Sequence, residues 1–317
     1  MSVTVLAGGV GAARLLRGLV RAVPPSEVTA VVNTGDDTVL HGLSISPDID
    51  TITYTLAEAI DPERGWGLAG ETWRAMEALE RYASVRPDGS TAAPTWFNLG
   101  DRDLATHFYR TARLAEGADL TTVTAEITRA WGLDLTLLPM TNDVFRTRIT
   151  LAGDGEEVSF QDYFVRLRHG VEISAVRFEH AAVPTGQVLA ALTDADVIVI
   201  APSNPLVSIA PIRALPGIDD VLAARRDRVV AVSPIVGGAA LKGPADRMLT
   251  ELGMEASAVG VARHYAPIAD ALVVDVVDEH LAPAVEAAGM RCVVAPSVMS
   301  TPARAEALAR VCLDCLH

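Results

Sequence analysis

The sequence contains only three cysteines, Cys292, Cys312 and Cys315, in 317 residues. So sparse and odd a set argues against the disulfide framework of a small secreted domain. Cys312 and Cys315 have the spacing of half a zinc site, yet no second Cys or His pair completes it. Leu308, Val311, Cys312 and Cys315 instead follow an i, i+3, i+4, i+7 pattern on a terminal helix opened by Thr301 and Pro302, which makes the thiols small core hydrophobes. Long apolar runs are also missing. No stretch reaches the roughly 20 residues that span a bilayer, and the first apolar run, residues 3–7, is too short for a signal-peptide core. Basic residues are scarce, 26 Lys and Arg against 40 Asp and Glu. That balance opposes nonspecific attraction to phosphate backbones and argues against nucleic acid as a partner. The expectation is a cytoplasmic protein with no membrane and no nucleic-acid partner. Internal repeats and low-complexity tracts are absent.

Half of the positions are hydrophobic, enough for a large core in one or two domains. A strand at residues 3–7 is followed by Gly8, Gly9 and Gly11, a helix at 12–22 and a second strand at 28–33 after Pro24 and Pro25. Apolar runs at 197–201, 229–232, 271–275 and 292–295 alternate with helical stretches such as 244–252. This pattern predicts an α/β fold with a doubly wound, mostly parallel, Rossmann-like sheet buried on both faces. Because the sheet draws strands from both ends of the sequence, residues 1–317 read as a single domain. Residues 50–132 read as a helical insertion, with helices at 51–59, 71–82, 104–115 and 120–131. Residues 140–180 read as an accessory β region, with strands at 146–151, 157–164 and 171–178. The Pro-, Gly- and Ser-bearing stretch 84–94 is a surface loop.

Ligands of an open parallel sheet bind beyond the carboxyl ends of its strands. Gly8, Gly9 and Gly11 follow the first strand, and bare backbone at a helix N-terminus is suited to an anion. A tight turn with close helix packing is the alternative. Arg14 stands where a dinucleotide fingerprint needs its third glycine. The second strand runs into Asn33, Thr34, Gly35, Asp36 and Asp37, and Asp48 and Asp50 follow shortly after. Four carboxylates beside a phosphate-binding turn suit Mg²⁺, a hard cation that prefers oxygen ligands. Helix capping by Asp48 or an Asx turn at Asp36 would explain only one of them. Asp101 and Arg102 precede a helix on which Asp103, His107 and Arg110 share a face, either lining a polar pocket or forming solvated ion pairs. Pro202, Ser203, Asn204 and Pro205 form a rigid polar loop after the strand at 197–201. Gly237 and Gly238, with Lys242 nearby, offer a second Gly-rich cradle and a positive charge.

In this order the motifs resemble one family, the transferases of coenzyme F420 biosynthesis that include 2-phospho-L-lactate transferase and the actinobacterial phosphoenolpyruvate transferase. The similarity is carried by Gly8-Gly9-Val10-Gly11, Asn33-Thr34-Gly35-Asp36-Asp37, His41-Gly42-Leu43 with Ser46 to Thr51, and Leu99 to His107. It continues through Phe160 to Val165, Ala201 to Pro205, Ser233 to Gly238 and Lys242-Gly243-Pro244. The resemblance implies transfer of a phospholactyl or phosphoenolpyruvyl group from a guanosine-diphospho donor to the ribityl hydroxyl of 7,8-didemethyl-8-hydroxy-5-deazariboflavin (Fo), releasing GMP. It further implies a Mg²⁺ ion at Asp36, Asp37, Asp48 and Asp50, and a homodimer. Asp36, Asp37, Arg102 and Lys242 are the expected catalytic residues. Substrate contacts are expected from Gly8, Gly9, Gly11, Asn33, Thr34, His41, Asp50, Asp101, Asp103, His107, Pro202, Ser203, Asn204, Gly237 and Gly238, with the deazaflavin toward the helical insertion. Ala12, Ala13 and the segment 141–147 depart from the family pattern, and the loop before Trp96 is expanded. The stretch 61–67 with Glu71-Thr72-Trp73 is similar to the actinobacterial members and favours the enolpyruvyl donor. The competing readings are a nucleotide-sugar-binding regulator of the related gluconeogenesis-factor family and a nicotinamide dehydrogenase.

Overall fold

Period-two burial in the strands gives the central sheet two apolar faces. In strand β1 (Val3–Ala7), Val3, Val5 and Ala7 join one core while Leu6 joins the other. The same alternation recurs in β2 (Val28–Val32), where Val28, Ala30 and Val32 lie opposite Val31. Residues 1–315 are described by the structure, a computed structural model. Between β1 and β2 runs α1 (Gly9–Ala22). A hairpin follows, β3 (Thr38–Leu40) and β4 (Leu43–Ile45), and then helices α2 (Pro47–Leu56), α3 (Arg74–Ala83), α4 (Asp103–Ala115) and α5 (Leu120–Ala130). Strand β5 (Thr136–Pro139) returns to the sheet, and β6 (Phe145–Leu151), β7 (Glu157–Ser159) and β8 (Ile173–His180) form the accessory antiparallel sheet. The second half contains α6 (Gly186–Asp194), β9 (Val197–Ile200), α7 (Ala210–Arg213), α8 (Ile218–Ala224) and β10 (Val229–Val232). A short hairpin, β11 (Ile235–Val236) and β12 (Ala239–Ala240), precedes α9 (Ala245–Glu251), α10 (Ala258–Tyr265), β13 (Ala271–Val274), α11 (Ala282–Ala287), β14 (Arg291–Val294) and α12 (Pro302–Asp314).

The main sheet has the order β14-β13-β10-β9-β1-β2-β5, and every neighbouring pair is parallel. The chain moves outward from β1 through β2 to β5, then returns to β9 beside β1 and moves outward the other way. The strand order therefore reverses between β1 and β9, where an open α/β sheet leaves a crevice beyond its carboxyl ends. The loops that begin at Gly8 and Pro202 border that crevice.

The predicted doubly wound sheet is present, with several corrections of detail. Helix α1 begins at Gly9 rather than residue 12, so the glycines form its first turn. Helix α2 begins at Pro47 rather than residue 51, because proline has the φ of a first helical position, and Asp48 and Asp50 thus lie inside its first turn. The accessory strand predicted at 157–164 ends at Ser159, and a π-helical turn, Asp162–Arg166, replaces its second half. Strand β5 and both hairpins were not anticipated, since runs of two to four residues carry no readable periodicity.

Gly18 sets the distance between α1 and α12. A Cβ at this position would lie 2.2 Å from the Ala305 carbonyl oxygen, well inside contact distance. Gly18→Ala is expected to cost about 1–3 kcal/mol through overpacking, despite alanine's better helix propensity. Chemical denaturation would show a lowered midpoint, and an unchanged one would mean the helices are not in contact here.

Candidate active site

A cavity of about 550 Å³ lies at the reversal point of the sheet. Its floor is formed by Gly8, Gly9 and Gly11 of the β1–α1 junction and by Pro202, Ser203 and Asn204 after β9. Asp48, Asp50 and Tyr54 of α2 and Asp103 and His107 of α4 form the insertion side. Phe160, Gln161 and Phe164 enter from the accessory region, and Lys242 comes from the loop before α9. A second π-helical turn, Pro205–Ile209, borders the floor. π turns are rare and concentrate at functional sites.

The glycines serve close packing more than a bare anion cradle. A Cβ on Gly11 would meet the Pro202 carbonyl oxygen at 2.2 Å, and one on Gly8 would meet Ser208 Cβ at 2.8 Å. The Gly9 N–H at the start of α1 donates to Asp48 Oδ1 at 2.7 Å, so a protein carboxylate occupies part of that helix terminus. Ser203 Oγ donates to the Gly8 carbonyl at 2.6 Å, tying the β9 loop to the β1 loop. Asn204 accepts from the Leu206 N–H at 2.9 Å and caps the π turn.

The four predicted acids divide into two pairs. Asn33 Nδ2 donates to Asp36 Oδ1 at 3.2 Å and to Asp48 Oδ2 at 3.0 Å, bridging two buried carboxylates that both face the cavity. Neither has a cationic side-chain partner among the described residues. Burial, with repulsion from Asp48 and Asp37, holds the Asp36 carboxyl well above the usual range. Burial also raises Asp48 to about 6, against the donors Asn33 and Gly9. Asp37 turns the other way. It accepts from Ser46 Oγ at 2.7 Å and lines a neighbouring cavity rather than this one. Asp50 is paired with Arg110, which is fully buried, through both guanidinium terminal nitrogens.

Of the face carrying Asp103, His107 and Arg110, the last two prove to be buried and Asp103 partly buried at the cavity wall, so it is not a solvated face. Asp103 accepts from Tyr54 Oη at 2.6 Å and lies 3.3 Å from His107 Nε2. Burial pushes the Asp103 carboxyl up, but the hydrogen bonds from His107 and Tyr54 and the nearby Arg110 outweigh it and leave it below its usual range. Asp50, Asp103 and His107 have ligand atoms within 4.8 Å of one another, the spacing of a possible metal site. The hydrogen bonds oppose that use. His107 Nδ1 lies 3.3 Å from Arg110 Nη1, and a guanidinium only donates, so the Nδ1 lone pair is taken and the ring proton sits on Nε2 toward Asp103. Asp50 is already neutralised by Arg110. Of the carboxylates, Asp36 and Asp48 are the ones left without positive charge.

Several predicted residues stand away from the cavity. Asn33 lies beneath it as the bridge described above, and Thr34 lines the neighbouring cavity. His41 and Gly42, with φ of 55° and 77°, make the two-residue turn of the β3–β4 hairpin. Gly237 and Gly238 likewise make the β11–β12 turn, and the Gly237 N–H is taken by Asp278 Oδ2 at 2.9 Å, so they form a hairpin and not an anion cradle. Asp101 caps the Thr72 N–H at 2.6 Å, and Arg102 donates to the Ala69 carbonyl at 2.6 Å on the outer surface. Both hold the insertion together. Tyr54, Arg64, Trp66 and Phe160 line the cavity without having been expected as site residues, although the stretches 61–67 and 160–165 carried the family likeness. Arg64 stacks on Trp66 and Trp73 with its guanidinium carbon 5.3 and 4.9 Å from their ring centroids. The Trp66-Trp73 spacing beside an arginine was the available signal.

Comparison with known proteins was consistent over nearly the whole chain. The family model described as 2-phospho-L-lactate transferase CofD matches residues 3–297. The phosphoenolpyruvate transferase of Streptomyces griseus is 44% identical over 319 residues, covering 99% of this chain and 98% of that protein. The protein of the same name from Kitasatospora aureofaciens is 44% identical, covering 99% and 97%. Among solved structures, a member of the UPF0052 family from Bacillus halodurans, BH3568, superimposes with a TM-score of 0.63 at 19% identity, covering 99% of this chain and 98% of that one. This last similarity is one of fold.

Two predictions follow from the electrostatics. Asp48 titrates near 6 in the fold and near 3.9 in an unfolded chain, so between these values the folded state holds the extra proton and stability falls as pH rises. Asp103 acts with the opposite sign, but only below about pH 4. His264, whose imidazole burial depresses to about 4, gains stability over part of the same range, so in chelator the Asp48 contribution is read as the difference between parent and variant from pH 5 to pH 8. Asp36 and Asp37, also held well above the usual range by burial, act with the same sign, so Asp48→Asn should remove only its own share, on the order of 1–2 kcal/mol. Equal pH dependence of the variant and the parent in urea titrations would refute the assignment. Separately, Arg110→Met leaves Asp50 charged and buried and should cost about 3–5 kcal/mol. Adding Asp50→Asn should recover part of the loss, and additive losses in the double variant would show that the pair is not coupled.

Proposed function

The chain belongs to the 2-phospho-L-lactate transferase family, and from that premise we propose that it transfers a phosphoenolpyruvyl group from a guanosine-diphospho donor to the ribityl hydroxyl of Fo, releasing GMP. The observation that carries the proposal is the uncompensated pair Asp36 and Asp48, bridged by Asn33, at the strand-reversal crevice. Enolpyruvyl is preferred to lactyl because the relatives at 44% identity are named phosphoenolpyruvate transferases. No helix among the described residues is long and apolar enough to cross a membrane, which suits small polar substrates. A homodimer belongs to the same reading.

The donor set fits a magnesium ion, because two desolvated carboxylates without a cationic partner are stabilised by a hard divalent cation. Asp36 and Asp48 would hold it, and it would neutralise charge on the diphosphate. The protein's own work is mainly positioning. The guanosine diphosphate lies along the floor, between the first turn of α1 and the loop Pro202–Asn204. The deazaflavin lies toward Tyr54, Trp66 and Phe97, whose apolar surfaces suit a planar ring system. The ribityl oxygen attacks the phosphorus that bears the acid, the bond from that phosphorus to the GMP oxygen breaks in line, and the hydroxyl proton passes to a carboxylate oxygen of Asp36. Lys242 supplies positive charge at the cavity mouth. It reaches close to Gly65, where a Cβ would lie 2.8 Å from its Nζ.

The test mixes the protein with Fo, Mg²⁺ and either the enolpyruvyl or the lactyl diphosphoguanosine and follows the deazaflavin product by mass. Product from the enolpyruvyl donor is expected. Asp36→Asn should lower turnover by about 10²-fold or more, as loss of a general base does. Folded protein that binds a uridine diphosphate sugar and makes no product would favour a binding module instead.

A further inference from the structure

A second cavity of about 470 Å³ lies behind Asp36, sharing Asp36, Ile45, Phe160 and Gln161 with the first. It is lined by the loop after β2, the start of β6, the β3–β4 hairpin, and Arg110 and Leu114 of α4. Thr34 Oγ1 and Thr147 Oγ1 are buried here without a hydrogen-bond partner, in residues 3% and 2% exposed. Arg146 also lines this cavity. It faces Glu179 across the β6–β8 ladder, but that carboxylate is engaged by Arg148 at 2.9 Å. Arg146 therefore has no ion pair among the described residues. Of the acids nearby, Asp143 accepts the Val183 N–H at 3.1 Å, Asp36 accepts from Asn33, and Asp37 accepts from Ser46 through Oδ2 while its Oδ1 is buried without a partner; none is ion-paired with Arg146.

In-line displacement accounts for a cavity at this place. The attacking ribityl oxygen, the phosphorus and the departing GMP oxygen lie on one axis, and the first cavity supplies that axis between its insertion side and its floor. The oxygen linking phosphorus to the three-carbon acid is equatorial, so the acid must project sideways, past the residues that hold the diphosphate. The second cavity lies on that flank of Asp36.

We propose that the second cavity seats the donor's three-carbon acid, with Arg146 receiving its carboxylate and the Thr34 and Thr147 hydroxyls completing the polar wall. This subsite rests on the transferase reading above and adds to it the recognition of the acid. Arginine is suited to the task because its planar fork matches a carboxylate.

The test compares two donors: enolpyruvyl-diphosphoguanosine, and guanosine diphosphate carrying an ethyl ester on the terminal phosphate, which lacks the carboxylate. The unmodified protein should favour the acid donor in kcat/KM by about 10- to 100-fold, the range of a charged hydrogen-bonded contact. In Arg146→Ala that preference should shrink to within about 3-fold, chiefly through KM, and Arg146→Lys should retain part of it. Arg146 is exposed, so its removal leaves the core intact. Equal slowing on both donors, or an undiminished preference, overturns the subsite while leaving the transferase reading standing. Failure of the unmodified protein to use either donor overturns both.

Discussion

The carboxylate of Asp48 accepts the Gly9 N–H at the start of α1 and the Asn33 side chain at the end of β2, while its backbone belongs to the first turn of α2. A single buried acid thus fixes a sheet strand, the helix after β1 and the first helix of the insertion relative to one another. The α1 terminus contributes positive dipole to this carboxylate, but the neighbouring Asp36, equally desolvated, offsets that help. The junction therefore carries more negative charge than its surroundings neutralise.

The second acidic pair shows the contrasting solution. Asp50 is met by Arg110; Asp37 accepts from Ser46 and lies near Arg110, yet burial still holds its carboxyl well above the usual range. Arg110 is paired and fully buried, the condition under which an interior charge is tolerated. It also lies against His107 Nδ1, so that the ring presents Nε2 toward Asp103, which accepts separately from Tyr54. The Asp50–Arg110 pair is thus a rigid framework, and Asp36 and Asp48 are left for a ligand to neutralise.

That division links stability to function. A protein optimised for stability alone would not bury Asp36 and Asp48 together, since such groups raise their own proton affinity and weaken the fold as pH rises. Strain and uncompensated charge of this kind concentrate where chemistry occurs. The close packing of Gly8 and Gly11 against Ser208 and Pro202 serves the same end by bringing the two loops of the strand reversal together around the cavity floor.

The sequence by itself determined the parallel sheet, because strands buried on both faces must be continuous apolar runs, and it located the acids, because carboxylates directly after strands stand out against such runs. It also placed Asp103, His107 and Arg110 on one helical face, since that follows from spacing alone. Only the tertiary structure decided that this face is not solvated, that Asp36 belongs with Asp48 and Asp37 with Ser46, and that Gly237 and Gly238 turn a hairpin. Each of these depends on which distant segment arrives opposite a residue, and periodicity along the chain carries no information about that. The short strand β5 and the π-helical turns were hidden for the same reason: packing against neighbours, not local preference, selects them.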